Sequence, residues 1–216
     1  MEPFRKVTAA AVPIEGENID TDQILPARFL PKPRAEGFGQ YLFHDLRFDD
    51  GGAEKPDFIL NRPGFRGAGI MVGETNFGCG SSRENAVWAV GDYGIRAVLA
   101  PSFGDIFYSN SIKNGVLPVM LPREVITQLI EDLLAEPGQE VTVNLEEQTV
   151  VACNRVHRFA IDEFSRHCLL NGIDELDYTL SQLDAIDAFA RARAAEEGWP
   201  APVPRNAATP HAGSGA

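Results

Sequence analysis

The residues best suited to chemistry are crowded into one stretch, "GETNFGCGSSRENA", which runs from residue 73 to residue 86. A thiol (Cys79), two hydroxyls (Ser81 and Ser82) and a guanidinium (Arg83) stand close together there, just before an apolar run with helical spacing. Four interpretations are open: a phosphate-binding loop, a cysteine nucleophile, a helix cap, and a site for another anion.

Two of these interpretations lack a necessary residue. A phosphate-binding loop needs a lysine where Cys79 stands, and a dinucleotide-binding loop needs a third glycine where Arg83 stands. A cysteine nucleophile needs a general base, and the three histidines before the tail are all remote in sequence: His44, His157 and His167. We therefore expect Cys79 to be a turn residue.

A helix cap and an anion site are both compatible with the motif. Ser81 followed by Glu84 is an S-x-x-E capping box, and Ser82 could be the cap instead. The glycines on either side of Cys79 let a ligand approach backbone N–H groups, and the planar guanidinium of Arg83 suits a carboxylate. With a helix N-terminus beside them, these groups predict a compact anion site.

The composition limits the partners of such a site. The 216 residues include 19 basic and 31 acidic side chains, for a formal net charge of −12. This balance argues against nucleic acid or an anionic membrane as a partner, since both require clustered Lys and Arg. An anionic ligand must be held locally by a few placed arginines.

The cysteines and the hydropathy indicate the setting. Cys79, Cys153 and Cys168 form no C-x-x-C pair, so neither a disulfide framework nor a metal centre built from this chain alone is supported. A reducing cytoplasm is the simplest location. No apolar stretch approaches the ~18 residues of a membrane span, and the first residues lack a signal-peptide core, so we expect a soluble, unprocessed protein.

The motif lies within a segment of alternating strand and helix patterns. The apolar runs "GAGIMVG", "RAVLAP" and "VLPVML" are separated by helical segments that end near Gly94 and Gly115, and an amphipathic helix follows from residue 123. This order predicts crossover units on a parallel sheet. The motif then joins a strand to a helix.

The flanking segments predict a mixed sheet. Residues 4–14 form a strand pattern, and residues 140–161 alternate with period two, as antiparallel hairpins do. Residues 31–66 are rich in Pro, Gly and aromatics, which predicts an irregular insertion with one short helix near 39–45.

The last part of the chain predicts helices and then disorder. Helices are expected at 163–171 and at about 179–195, the second opened by a capping box of Thr179 and Gln182. The tail from residue 199 lacks apolar periodicity and predicts a disordered segment.

Three separated motifs resemble one protein family. "DTDQILPARFL", "NFGCGSSRE" and "YGIRAVLAPSFGDIFYSNSIKNGVLPV" occur in the order found in small subunits of 3-isopropylmalate dehydratase, relatives of the C-terminal domain of aconitase. The resemblance covers residues 4 to 195. It implies an aconitase-like swivelling β/β/α domain of the α/β class, with a mixed sheet, over residues 1–198, in which 31–66 is the insertion.

The resemblance also implies roles for individual residues. Ser81 corresponds to the catalytic base, and Ser82 and Arg83 to groups that hold the substrate. Asp22 corresponds to an aspartate that pairs with a histidine of the partner chain. Arg28 is the nearest candidate for a second arginine that binds the substrate.

The implied activity needs a second chain. The family isomerises 2-isopropylmalate to 3-isopropylmalate in leucine biosynthesis, by removing water and adding it back. The resemblance implies a hydro-lyase that binds a small hydroxy-dicarboxylate. The resemblance further implies that this chain holds no metal and that the [4Fe–4S] cluster lies on a large subunit. We expect the two chains to form a heterodimer or heterotetramer in the cytoplasm, without nucleic acid or membrane as a partner.

One position departs from the family pattern. Asn85 stands where the family usually has a histidine, and an amide cannot change its charge near neutral pH. Two alternatives follow: a paralogous subunit for another hydroxy-diacid, such as 2-methylmalate or homocitrate, and a non-catalytic binding protein of the same fold.

Overall fold

The computed structural model describes the backbone of residues 1–197 and the side chains of residues 1–193. The chain divides into two units, Met1–Asp174 and Glu175–Ala216. None of the described helices is long and apolar enough to cross a bilayer. The prediction for the tail from residue 199 falls outside the described residues, and the single domain over 1–198 stays a prediction.

The first unit is built on a seven-stranded sheet. Its strands are β1 (Lys6–Ile14), β2 (Ile70–Gly73), β3 (Ala97–Ala100), β4 (Leu117–Met120), β5 (Glu140–Asn144), β6 (Thr149–Ala152) and β7 (Arg155–Arg158). Their order is β4-β3-β2-β1-β5-β6-β7. Strands β1 to β4 pair in parallel, whereas β5 to β7 join the other side of β1 in antiparallel pairs. The predicted mixed sheet is confirmed.

Helices cover both faces of the sheet. The described helices of this unit are α1 (Thr21–Ile24), α2 (His44–Arg47), α3 (Glu84–Tyr93), α4 (Asp105–Lys113), α5 (Arg123–Ala135) and α6 (Glu163–Asn171). Because side chains alternate along a strand, Met71 of β2 packs with the α3 side, and its neighbours Ile70 and Val72 pack with the α5 side. Each face therefore has its own apolar core.

The insertion is irregular but well packed. Short 3₁₀ turns occur at Arg34–Glu36, Gly39–Tyr41 and Ile59–Asn61. The single short helix expected near 39–45 is instead a turn followed by α2, because Phe43 between them has a left-handed backbone (φ +48°). The Phe43 ring is fully buried, so the insertion contributes to the core on the α3 side.

The carboxyl ends of the parallel strands meet at one edge of the sheet. Residues 15–20 follow β1, residues 74–83 follow β2 and residues 101–104 follow β3. Ligands of open α/β sheets bind at this kind of edge. The chemistry-bearing motif occupies the middle one of the three loops.

The described part of the second unit, residues 175–197, contains the helices α7 (Glu175–Ser181) and α8 (Leu183–Glu197). The prediction of one helix opened at Thr179 is wrong. Thr179 lies inside α7, and its hydroxyl donates to the carbonyl oxygen of Glu175 at 2.8 Å. A threonine hydroxyl can satisfy the carbonyl four residues earlier as readily as it can cap a helix, which is why the capping pattern misled.

Replacing Leu133 by alanine tests the core between α5 and the sheet. Leu133 is fully buried, so Leu133→Ala should lower the free energy of unfolding by about 2–5 kcal/mol, measured by urea denaturation. Thr127→Ala, on the exposed face of the same helix, is the matched control and should change it by less than about 0.5 kcal/mol. Equal losses in the two variants would contradict this packing.

Candidate active site

The motif loop, residues 74–83, is tied by backbone hydrogen bonds to the segment that follows β1. The N–H of Gly78 donates to the carbonyl of Ile19 at 2.7 Å, and the N–H of Thr21 donates to the carbonyl of Cys79 at 2.9 Å. These two bonds extend the parallel pairing of β1 and β2 beyond the end of the strands. They place the start of α1 directly beside the motif.

The same loop is also tied to the segment that follows β3. The N–H of Phe77 donates to Ser102 at 3.0 Å, and the N–H of Gly104 donates back to Phe77 at 2.9 Å. A Cβ on Gly104 would lie 2.6 Å from the carbonyl oxygen of Gly78. The absence of a side chain at position 104 therefore lets the two loops touch.

Glycine is required inside the motif itself. Gly78 has φ +72° and Gly80 has φ +89°, both in the region that favours glycine. A Cβ on Gly78 would also overlap the ring of Phe107 on α4. Both glycines that flank Cys79 therefore have backbone angles that other residues rarely adopt.

An ion pair joins two of the predicted site residues. Arg83 donates to Asp22 on α1, 61 positions away in the sequence. The side chain of Arg83 is 15% exposed and that of Asp22 is 51% exposed. A cation that is mostly removed from water is stabilised by such a carboxylate, and the exposed part of Asp22 still faces solvent.

Thr21 connects Ser81 to the same pair. The hydroxyl of buried Thr21 donates to the carbonyl oxygen of Ser81 at 2.9 Å. Ser81 and Ser82 themselves are exposed. The structure thus brings Asp22, Ser81 and Arg83 together, with Ser82 between the last two in the chain.

The predicted capping box at the start of α3 is wrong. The N-cap of α3 is Arg83, in an extended conformation (φ −137°, ψ 102°), and no side chain caps this helix. The side chain of Glu84 instead accepts a hydrogen bond from Asn114 at the end of α4, at 2.9 Å. Neither serine is used as a cap, so both hydroxyls remain available for a ligand.

A capping box does exist at α1, where sequence reasoning missed it. Asp20 accepts the N–H of Gln23 at 2.7 Å, and the side chain of Gln23 accepts the N–H of Asp20 at 2.9 Å. The D-x-x-Q pattern at residues 20–23 was a usable signal. This box fixes the short helix that carries Thr21 and Asp22.

Arg28 lies in a different ion pair. Its Nη1 donates to Oδ2 of Asp45 at 2.8 Å, its guanidinium carbon lies 4.6 Å from the centre of the Phe29 ring, and Nδ1 of His44 is 3.3 Å from Nη2. The hydrogen bond from Arg28 holds the pKa of Asp45 at about 2, and the same pair raises the pKa of Arg28. No contact recorded among the described residues joins Arg28 to the Asp22–Arg83 pair, and its role in binding stays a prediction.

The contacts of Cys79 agree with a turn residue rather than a nucleophile. The thiol of Cys79 donates to the backbone carbonyl of Asn18 at 3.4 Å, and no histidine is among its described contacts. Within residues 1–193, no group of three or more His, Cys, Asp or Glu side chains is placed to hold a metal ion.

Comparisons with known proteins agree on one family. The sequence matches the family model described as the Aconitase C-terminal domain over residues 1–124, and the model described as LeuD_N over residues 127–163. The 3-isopropylmalate dehydratase small subunits of Hahella chejuensis and Dinoroseobacter shibae are 46% and 47% identical to the chain. These alignments cover 92% of the chain and 97% and 100% of the two relatives.

A solved structure shows the same fold. The structure of 3-isopropylmalate dehydratase (leuD) from Methanocaldococcus jannaschii is similar to this chain, with a TM-score of 0.62 at 26% identity. The similarity covers 85% of this chain and 98% of that one. The aconitase-like α/β fold with a mixed sheet is confirmed.

The ion pair of Arg28 predicts a titration that can be observed. The carboxyl of Asp45 should titrate near pH 2 by side-chain NMR, and Arg28→Met should return its midpoint toward about 4. Because the folded-state pKa is depressed, the pair's stabilisation is complete above the unfolded value and is lost as the pH falls from about 4 to about 2. An unchanged midpoint in the variant would show that Arg28 does not hold this carboxyl.

Proposed function

The chain belongs to the family of 3-isopropylmalate dehydratase small subunits and serves as the small subunit of this hydro-lyase of leucine biosynthesis, and we propose that Ser81, Arg83 and Asp22 are its active-site residues. The relatives are named for 3-isopropylmalate, and we propose that this chain acts on the same compound, as substrate or product. We therefore favour this assignment over the two alternatives, a paralogous substrate and a non-catalytic binding role.

The observation that carries the site assignment is the ion pair between Arg83 and Asp22. A guanidinium has five N–H donors, and Asp22 accepts a hydrogen bond from Nη1 alone. The remaining donors can bind one carboxylate of the substrate in the planar, two-bond geometry that favours arginine over lysine. Asp22 thus orients Arg83, and its exposed oxygen is available to the histidine that we expect on the partner.

Ser81 is the proposed base. A serine hydroxyl is a very weak acid, so a proton can be taken from carbon only if the alkoxide is stabilised where it forms. Arg83 lies two residues away, and the N-terminus of α3 begins immediately after it, with the positive end of its dipole toward the motif. The backbone position of Ser81 is held by Thr21, while its side chain stays exposed toward the substrate.

Ser82 and Arg28 are two further residues that we propose bind the substrate. Ser82 is exposed between the base and Arg83, where its hydroxyl can hold a second polar group of the substrate. Arg28 would bind the substrate only after its bond to Asp45 is exchanged for one to a carboxylate. Because both side chains of this ion pair are exposed, a substrate carboxylate can reach the guanidinium and replace Asp45.

The rest of the active site is proposed to lie on a large subunit. The name "small subunit" of the relatives implies a larger partner. We propose that this partner holds the [4Fe–4S] cluster, which acts as a Lewis acid for the departing hydroxyl group. We further propose a cytoplasmic heterodimer or heterotetramer, consistent with the thiol state of Cys79 and Cys153.

Removing the proposed base tests the mechanism. Ser81→Ala, assayed together with the large subunit, should lower kcat by about 10²–10⁴-fold because proton abstraction loses its base. The control is Ser109→Ala, which removes an exposed hydroxyl on α4 that bonds to the carbonyl of Asp105 and should leave the rate unchanged. Activity of the Ser81 variant equal to that of the control would exclude Ser81 as the base.

A second variant tests how Arg83 binds the substrate. Arg83→Lys keeps the charge but loses the planar fork, so kcat/KM should fall by about 10–100-fold, through a higher KM and a lower kcat. Arg123→Lys, at an exposed pair with Glu17, is the matched control. Unchanged kinetics in the two-subunit enzyme would place Arg83 outside the site.

A further inference from the structure

Arg47 on α2 is a buried cation without an acidic partner. Arg47 is 7% exposed and is the most buried arginine among residues 1–193. Arginines 28, 34, 66 and 83 each pair directly with a carboxylate, but no ion pair of Arg47 occurs within the described residues. Buried charges in proteins are normally paired, so the surroundings of this side chain need an explanation.

The contacts of Arg47 hold the guanidinium without neutralising it. Its Nε donates to Asn61 at 3.4 Å and its Nη1 donates to the carbonyl of Leu42 at 3.3 Å, both near the long limit for such bonds. The guanidinium carbon lies 4.9 Å from the ring centre of Phe48 and 5.1 Å from that of Tyr93. Burial lowers the pKa of Arg47, so its cation is under-solvated.

The second amino group of the fork has no assigned acceptor. Within the part of the chain that the structure describes, no hydrogen bond is made by Nη2 of Arg47, yet no fully buried side-chain nitrogen or oxygen is left without a partner. Nη2 is therefore not fully enclosed by the protein, and a ligand can approach it from outside the core. Arg47 lines a cavity of about 530 Å³, together with both rings.

Two carboxylates also line this cavity, but neither compensates Arg47. Asp92 accepts both ends of the Arg34 fork and the N–H of Phe38, so Arg34 already offsets its charge. Glu36 is exposed and accepts only the hydroxyl of Tyr41, at 3.4 Å. Of the acids farther away, Glu54 raises the pKa of Arg47 through its charge but is paired with Arg66.

We propose that this cavity binds a carboxylate, with Nη2 of Arg47 as the anchoring donor. A flat carboxylate matches the planar fork and the aromatic walls formed by Phe48 and Tyr93. A single negative charge fits better than the double charge of a phosphate, because the exposed carboxylate of Glu36 would repel a dianion more strongly than a monoanion. The carboxylate comes either from a small molecule or from an acidic side chain of the partner subunit.

Acetate is the probe for the first test. The Nε–Hε NMR signal of Arg47 in the full chain should shift saturably with sodium acetate, at a constant ionic strength kept with chloride, with a dissociation constant in the roughly millimolar range. Arg47→Gln should abolish acetate-dependent shifts of neighbouring backbone signals. Arg62→Gln, an exposed arginine that donates to the carbonyl of Asp57, is the matched control and should leave them unchanged.

A second variant keeps the test decisive if Arg47→Gln fails to fold. Gln40→Glu adds a negative charge to the cavity wall and should weaken acetate binding by about tenfold, whereas Gln128→Glu on the exposed face of α5 should not. No saturable shift in the unmodified chain, or equal affinity in the Gln40 and Gln128 variants, would overturn the proposal.

The source of the carboxylate is distinguished in the two-subunit complex. Persistence of the acetate shift there identifies a small-molecule site. Loss of the shift, with weaker subunit association in Arg47→Gln, identifies an acidic side chain of the partner. A persistent shift at the same affinity in Arg47→Gln would refute both sources.

Discussion

The close contact between Gly78 and the ring of Phe107 is the constraint from which the rest of the candidate site follows. Because no Cβ separates them, the motif loop lies flat against α4 and reaches backbone partners on both sides, Ile19 and Ser102 by way of Phe77. Three loops are thereby fixed at one edge of the sheet. The side chains that project from them gain a rigid support, which catalysis and tight binding both require.

The charge distribution makes sense on this scaffold. A chain with a net charge of −12 cannot attract an anionic substrate by its overall field. Several of its guanidinium groups instead lie beside acids that orient them, as Asp22 orients Arg83. Recognition then depends on short-range geometry. Arg47 differs from these paired arginines, since it lines a cavity and forms no ion pair within the described residues.

The helices and strands were predicted from the sequence more accurately than the contacts between side chains. Period-two and helical spacing identified the strands and the helices α3 to α6, because burial of one face leaves a pattern in the order of residues. The capping box at Ser81 and Glu84 failed because α3 begins only after Arg83, and because Asn114, distant in sequence, donates to the side chain of Glu84. The partners of Arg28 and Arg83 likewise left no local signal, since an ion pair across 17 or 61 positions has no periodicity. The family resemblance supplied the site residues that spacing alone left open.

The central place of β1 has a consequence for how the chain is made. β1 pairs on one side with β2 and on the other with β5, so Lys6 pairs with Asn144, which is far away in the sequence. At synthesis rates of about 5–20 residues per second, the second partner leaves the ribosome on the order of 10 s after the strand itself. Until then the amino-terminal half of β1 has free backbone groups, and the parallel half of the sheet can form before the antiparallel half. The site edge, which needs only residues 11–120, can therefore assemble while later residues are still being translated.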